Sequence, residues 1–246
     1  MSKYILFIAI LFLILLVIYG IKNKEGFADI IIVVARYNEK LDWLKEEPFN
    51  KYPVIIYNKG PNDDFYKPPN CKIVKVDNVG RCDHTYVYHI IQNYDKLNNI
   101  TVFLPGSTNM ENKLEHSKLL FQKIEQHNKA VFLSQQINMQ DLYNFQLDEW
   151  VASSNENSSI NPESQLELSS IRPFGKWLEA RYGNIEITRV TYWGIFSVSD
   201  KDINQHPKSY YEELIKDVSN SSNPEAGHYF ERSWQAMFHP MKETLI

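Results

Sequence analysis

Cysteine is scarce in this 246-residue chain, with only Cys71 and Cys82. Two thiols exclude a disulfide scaffold and a four-thiolate zinc site, and leave either one bridge or two free side chains. Positive charge is not in surplus: 26 Lys and Arg against 30 Asp and Glu give a net charge of −4. Such a chain has no basic excess with which to follow a phosphate backbone, so nucleic acid is not an expected partner. P-loop, complete dinucleotide fingerprint, nucleophile elbow and zincin motifs are all missing, which removes several enzyme classes. No internal repeat is visible. Apolar residues are plentiful at 43%, enough to bury a core and to exclude global disorder.

What is present begins with the N-terminus. Tyr4 to Ile21 carry no charge and are nearly all Ile, Leu, Phe or Val. These 18 positions span roughly 27 Å as a helix, enough for the hydrocarbon core of a bilayer. The stretch predicts one N-terminal transmembrane helix over about residues 4–21, followed by a short polar stalk to Asp29. A cleaved leader fits less well, because the apolar region is long and no clean small-x-small site follows it. Lys22, Lys24, Arg36 and Lys40 follow the span and favour a cytosolic body. Sequons at Asn99, Asn157 and Asn220 favour a lumenal one, in the ER or Golgi or across a virion membrane. The expectation is a single-pass membrane protein with its side left open.

Residues 30–246 read as a single α/β domain. The run Ile30 to Ala35 is continuously β-branched, as in strands buried on both faces. Val54 to Tyr57 is a second run, ended by the turn signal Asn58-Lys59-Gly60-Pro61-Asn62. Lys72 to Val76 alternates and suits an edge strand, and Thr101 to Leu104 is a fourth strand, stopped by Pro105-Gly106. Helical spacing appears at Leu41–Leu44 behind a candidate Asn38 cap, from Asp83 to Tyr94 and from Met110 to His127. Farther on, Ile185 to Val190 and Gly194 to Val198 read as strands. Pro207 to Val218 and Pro224 to Phe238 read as helices with proline in the first turn. Ala152 to Ser164 is Ser/Asn-rich and reads as an exposed loop. Strands alternating with helices predict an α/β fold with a mostly parallel central sheet and flanking helices, Rossmann-like in plan.

In such sheets ligands bind beyond the carboxyl ends of the strands, where the strand order reverses. Four loops leave those ends: Arg36-Tyr37-Asn38-Glu39, Asn58-Lys59-Gly60, Asn78-Val79-Gly80-Arg81-Cys82-Asp83-His84 and Pro105-Gly106-Ser107-Thr108. Arginines, amides and a helix N-terminus on one edge would make an anion pocket fit for a diphosphate, with capping and surface ion pairs as the plain alternative. Polar chemistry gathers again at Gly227-His228-Tyr229-Phe230-Glu231-Arg232-Ser233-Trp234. His228 and Glu231 are three apart and share a helix face, as metal ligands or as a base with its orienting partner. Anchoring of the helix through buried hydrogen bonds is the competing reading. His84 and His89 are five apart and diverge on a helix.

The segments Val34 to Glu39, Asp42-Trp43-Leu44, Tyr57 to Gly60 and Asn78 to Arg81 resemble a domain family of unknown function, DUF3431, found in fungi and large DNA viruses. His84-Thr85-Tyr86, His89-Ile90-Ile91, Asn93-Tyr94-Asp95, Val102-Phe103-Leu104 with Gly106, and Gly227-His228 with Glu231 to Trp234 continue the resemblance. The family name supplies no activity. A second resemblance is to nucleotide-sugar glycosyltransferases of the GT-A fold. It rests on the strand ending in Tyr37-Asn38-Glu39, on Asn58, on Asn78-Val79-Gly80, on Gly194 to Ser199, and on an acidic residue, Glu231, in a late helix. The Asp-x-Asp of that fold is missing after the fourth strand, where Phe103-Leu104-Pro105-Gly106-Ser107 stands.

That resemblance implies a membrane-anchored glycosyltransferase-like protein acting on a nucleotide-sugar donor and a glycan acceptor. Glu231 would be the base with His228 or Arg232 orienting it, and Arg36, Asn38, Asn58, Arg81 and His84 would hold the donor. A divalent metal (Mn or Mg) would recruit Asp63 or Asp64, or the arginines would neutralise the diphosphate alone. Against this stands a non-catalytic anchored glycan-binding or structural protein, viral proteins included. A metal hydrolase built on His228 and Glu231 is a third reading.

Overall fold

The computed structural model describes residues 29–149 and 165–246. The expected membrane helix, the sequon at Asn157 and all of the Ser/Asn-rich stretch lie outside the described residues. The continuous β-branched run forms strand β1 (Ile30–Arg36), every residue of which is buried. It pairs in parallel with β2 (Val54–Asn58) on one side and β4 (Ile100–Pro105) on the other. Strand β3 (Cys71–Lys75) adds in parallel beyond β2, at the sheet edge. Its residues, none of them buried, suit that place. The short pair β5 (Gln135–Gln136) and β6 (Arg189–Val190) forms a separate antiparallel ribbon. Strand β7 (Phe196–Ser199) closes the main sheet antiparallel to β4, giving the order β3-β2-β1-β4-β7.

Successive side chains of a strand point to opposite faces, and the two faces carry different cores. Val33, Ala35, Tyr57 and Phe103 join one core with helix α1 (Arg81–Asn93), α4 (Phe174–Tyr182), α6 (Lys208–Leu214) and α7 (Glu225–Met237). Ile32, Val34, Ile56 and Val102 join the other with α2 (Glu111–His127) and the turn residues Trp43, Leu44 and Phe49. In α7 the core positions Ala226, Tyr229, Phe230, Trp234 and Met237 recur at helical spacing. Two further short helices, α3 (Met139–Tyr143) and α5 (Asp200–Asn204), complete the regular elements used below. The mixed α/β architecture with a mostly parallel sheet is the expected one.

Several local expectations are corrected. Leu41–Leu44 is not an α-helix behind Asn38: a 3-10 turn runs Asp42–Lys45, entered through Leu41 at φ 60°. Asn38 instead accepts from Asn62 through its side chain at 3.3 Å. Of the alternating run Ile185–Val190 only Arg189–Val190 is strand, since the partner Gln135–Gln136 is two residues long. Pro207 and Pro224 cap α6 and α7 and do not fill their first turns. Of the two alternatives left open for the cysteines, Cys71 and Cys82 take the second and are both free thiols.

The sheet leaves β1 toward β2 and β3 on one side and returns to β4 on the other, so the order reverses between β1 and β4. Trp43 bridges that reversal, donating from Nε1 to the Gly106 carbonyl at 3.0 Å. The loops after β1 and β4 are thereby fixed side by side at the edge where an open α/β sheet takes its ligands.

Candidate functional site

The residues expected at this edge fall into two groups. The first is centred on Arg36, the last residue of β1. Its Nη1 donates to Asn58 Oδ1 at 2.7 Å and to the Asn62 carbonyl at 2.9 Å. Its Nη2 donates to Asn62 Oδ1 at 2.9 Å, and its Nε to the Glu39 carbonyl at 2.9 Å. The Phe65 ring covers the guanidinium at 4.1 Å. Asn58 is equally engaged: Oδ1 also accepts from the Gly60 amide, and Nδ2 donates to the Asn62 carbonyl and to Asp63 Oδ1. Arg36 and Asn58 are fully buried and knit the loops after β1 and β2 together. Burial lowers the Arg36 pKa against the opposing charges of Glu39, Asp63 and Asp64. Asp64 is paired with Lys40 at the surface.

The second group is built on the first turn of α1. Gly80 (φ 59°) and Arg81 (φ 53°) are both left-handed, an uncommon conformation for an arginine. Lys59 sits next to Asn58 but turns the opposite way. Its ammonium caps the carbonyls of Val79 and Arg81. Arg81 donates from Nη1 to Asn223 Oδ1 at 3.0 Å and contacts His228 Nε2 at 3.3 Å. A guanidinium only donates, so His228 Nε2 is the acceptor and its proton belongs on Nδ1. Burial first, then the charges of Arg81 and Arg232, lower the His228 pKa to about 2, so the ring is neutral.

Helix α7 approaches α1 closely at Gly227. A Cβ there would stand 3.2 Å from Arg81 Cδ and 3.4 Å from Asp83 Oδ2. One turn on, Glu231 accepts from the Trp193 amide at 2.6 Å, and its other oxygen lies 3.6 Å from Arg232 Nη1. Trp193 has φ 67° and precedes Gly194 at φ 66°. Arg232 packs its guanidinium 3.6 Å over Phe145 and donates to the His228 carbonyl.

Asp83 is the electrostatic centre of this group. It is almost wholly buried, and its Oδ1 has no hydrogen-bond partner. Burial, and next the negative charge of Glu231, push its carboxyl up to about 7, against the pull of Arg81 and Lys59. Lys59 is moved the other way, down to about 8, chiefly by burial. Lys113 reaches in from α2, anchored on Ser107 Oγ at 2.8 Å. Burial lowers its pKa, while the carboxylates of Glu231 and Glu39 favour its charged form. Two carboxyl groups, with Lys59, Arg81, Lys113 and Arg232 around them, thus share one end of the molecule. Near neutral pH one of the carboxyls is poised to hold or release a proton.

Residues 31–245 match the family described as Protein of unknown function (DUF3431). The chain belongs to that family. No curated protein and no solved structure matches it.

Of the residues singled out in this DUF3431 chain, Arg81, His228, Glu231 and Arg232 are brought together. His84 adjoins them on α1, stacked on Tyr88 at 5.9 Å and lowered to about 4, mainly by burial. Arg36, Asn38 and Asn58 belong to the neighbouring loop network, where protein groups already occupy the Arg36 and Asn58 side chains. His228 does not pair with Glu231 as a metal ligand would, because the Arg81 guanidinium holds its Nε2. Among the described residues, no three His, Cys, Asp or Glu side chains are arranged to hold a metal. The residues around Asp83 and Glu231 do not fit a divalent cation, since four cationic side chains surround those two carboxyls. Asp63 and Asp64 do not supply the set either, as their carboxylates hold Asn58 and Lys40.

Lys59, Asp83, Lys113 and Trp193 were not assigned roles from sequence. Asp83 reads there as an ordinary acidic residue in a helix first turn. Lys113 reads as a solvated helix lysine. Trp193 reads as an ordinary aromatic in the sequence, and its left-handed backbone is seen only in the fold.

Proposed function

We propose that this protein is a membrane-anchored glycosyltransferase of GT-A-like plan that transfers a sugar from a nucleoside-diphosphate donor to a glycan hydroxyl. The observation that carries the reading is the Asp83–Glu231 carboxyl pair among Arg81 and Lys113, beside the β1/β4 reversal. The anchor is residues 4–21.

In this reading Arg81 and Lys113 face the donor diphosphate. Their charge stabilises the negative charge that grows on the leaving phosphate. Glu231, fixed by the Trp193 amide, takes the proton of the acceptor hydroxyl. The acceptor oxygen bonds to the anomeric carbon as the bond from that carbon to the diphosphate oxygen breaks. The nucleoside diphosphate then leaves with the electron pair. Glu231 then gives the proton up to solvent, to which its side chain is partly exposed, while Asp83 stays a buried neighbour that is itself partly protonated near neutral pH. His228 holds Arg81 in place and stays neutral throughout. Arg36 and Asn58 support the loop floor in place of contacting the diphosphate.

Isothermal titration of the chain with UDP- and GDP-sugars, with and without manganese, tests the reading. At least one donor is expected to bind without added metal, and Glu231→Gln is expected to keep that affinity while losing turnover. If no donor binds under either condition, the proposal fails.

A further inference from the structure

Trp193 stands apart from the other described tryptophans. Trp43, Trp177 and Trp234 are at most 3% exposed, whereas Trp193 is 37% exposed. Its backbone is left-handed, a conformation that bulky aromatic residues avoid, and the Gly194 that follows is left-handed too. Its amide donates to Glu231 Oε1 at 2.6 Å. Its ring meets the His116 ring edge to face at 5.5 Å, and the adjacent Tyr192 ring lies 5.5 Å from the Arg232 guanidinium. An exposed indole and a strained backbone are two unfavourable features at one residue, and the residue is tied to the carboxylate of the site. Strain of this kind persists where the surroundings enforce it, and it clusters at ligand contacts.

We infer that Trp193 is the acceptor platform: its indole stacks on a pyranose ring of a glycan whose hydroxyl is thereby brought to Glu231. The apolar C–H face of a pyranose matches the indole surface, and its hydroxyl edge requires a nearby acceptor group. Glu231 is that group, held by the same residue that carries the ring. One residue therefore couples sugar stacking to carboxylate placement. The assignment of the sugar as acceptor rests on the transferase reading; the stacking itself does not.

The test is titration of the full chain with short cello-, chito-, manno- and xylo-oligosaccharides, compared with Trp193→Asn and Trp193→Tyr. Asparagine tolerates the left-handed backbone and keeps the amide on Glu231, so it removes the ring alone. One oligosaccharide class is expected to bind, with affinity falling about tenfold or more in Trp193→Asn and largely kept in Trp193→Tyr. Donor affinity is expected to be unchanged in both variants. Should Trp193→Asn not fold, acrylamide quenching of the unaltered chain decides, since bound saccharide shields the exposed indole. Binding of no saccharide, equal binding by Trp193→Asn, or no shielding would overturn the inference. Failure of nucleotide-sugars to bind, with saccharide binding still dependent on Trp193, would remove the transferase reading and leave the platform.

Discussion

The negative charge of Glu231, in the middle of α7, bears on Asp83, in the first turn of α1, across the approach of the two helices. The approach is made by Gly227, whose missing side chain leaves room for Arg81 and Asp83. Glu231 keeps a backbone donor, whereas one oxygen of Asp83 has none. The two carboxyls therefore stand in unlike surroundings on one edge.

The raised proton affinity of Asp83 makes stability depend on pH. The unfolded carboxyl ionises near pH 4, and the folded one at about 7. Between those values the folded chain keeps a proton that the unfolded chain has lost. Stability from this group therefore falls as pH rises through the window and is level above it. Asp83→Asn is expected to gain stability relative to the parent between pH 4 and pH 8, by up to about 4 kcal/mol. Urea unfolding of both chains at the two pH values measures the difference.

The buried histidines work in the opposite sense. His228, His89 and His84 are lowered to about 2, 3 and 4, each mainly by burial. The unfolded imidazoles protonate below about pH 6.5, so the stability they allow at neutral pH is lost as pH falls. His89 contacts the Tyr57 hydroxyl at 3.0 Å through Nδ1. His89→Asn is expected to reduce the loss of stability between pH 6.5 and 4.5 by about 2–3 kcal/mol. Denaturant midpoints at those two values check it.

Arg36→Lys separates a structural from a ligand-binding arginine. A lysine cannot reproduce the fork that reaches Asn58, Asn62 and Glu39 together. The variant is expected to lose about 2–4 kcal/mol of stability while the folded fraction keeps its donor affinity. Chemical unfolding and titration on the same preparation read both quantities.

Gly227→Ala adds a methyl group against Arg81 Cδ. Alanine favours the helix by up to about 1 kcal/mol, so overall stability is expected to stay within about that amount of the parent. Displacement of Arg81 from Asn223 and His228 is expected to weaken nucleotide-sugar binding about tenfold. Thermal unfolding and donor titration measure the two effects.

The frame was legible because its strands announce themselves. Ile30 to Ala35 and Thr101 to Leu104 are continuous apolar runs, and such runs fit only the middle of a covered sheet. The helix at Arg81 followed from apolar spacing, and the one at Glu225 from the proline that precedes it. Two adjoining networks on the rim were not legible, because a sequence does not show which way Arg36 and Arg81 turn. Arg36 looks like an anion ligand until Asn62 and Phe65, brought back by the β2 loop, enclose it. Asp83 and Lys113 acquire their electrostatics only from helices that are distant in the chain. The Ile185 run is mostly not strand because tertiary pairing with the two-residue partner Gln135–Gln136, not propensity, decides how many of its residues become regular.

Asn58 and Lys59 give the sheet a means of checking its own alignment. The Lys59 amide bonds the Arg36 carbonyl at 2.8 Å, which fixes the offset of β2 against β1. A slip by one residue would exchange the two side chains, thrusting an ammonium against the Arg36 guanidinium and leaving the Val79 and Arg81 carbonyls without their cation. Mispaired chains would thus meet like-charge repulsion at the rim, so the correct stagger is selected before any ligand arrives.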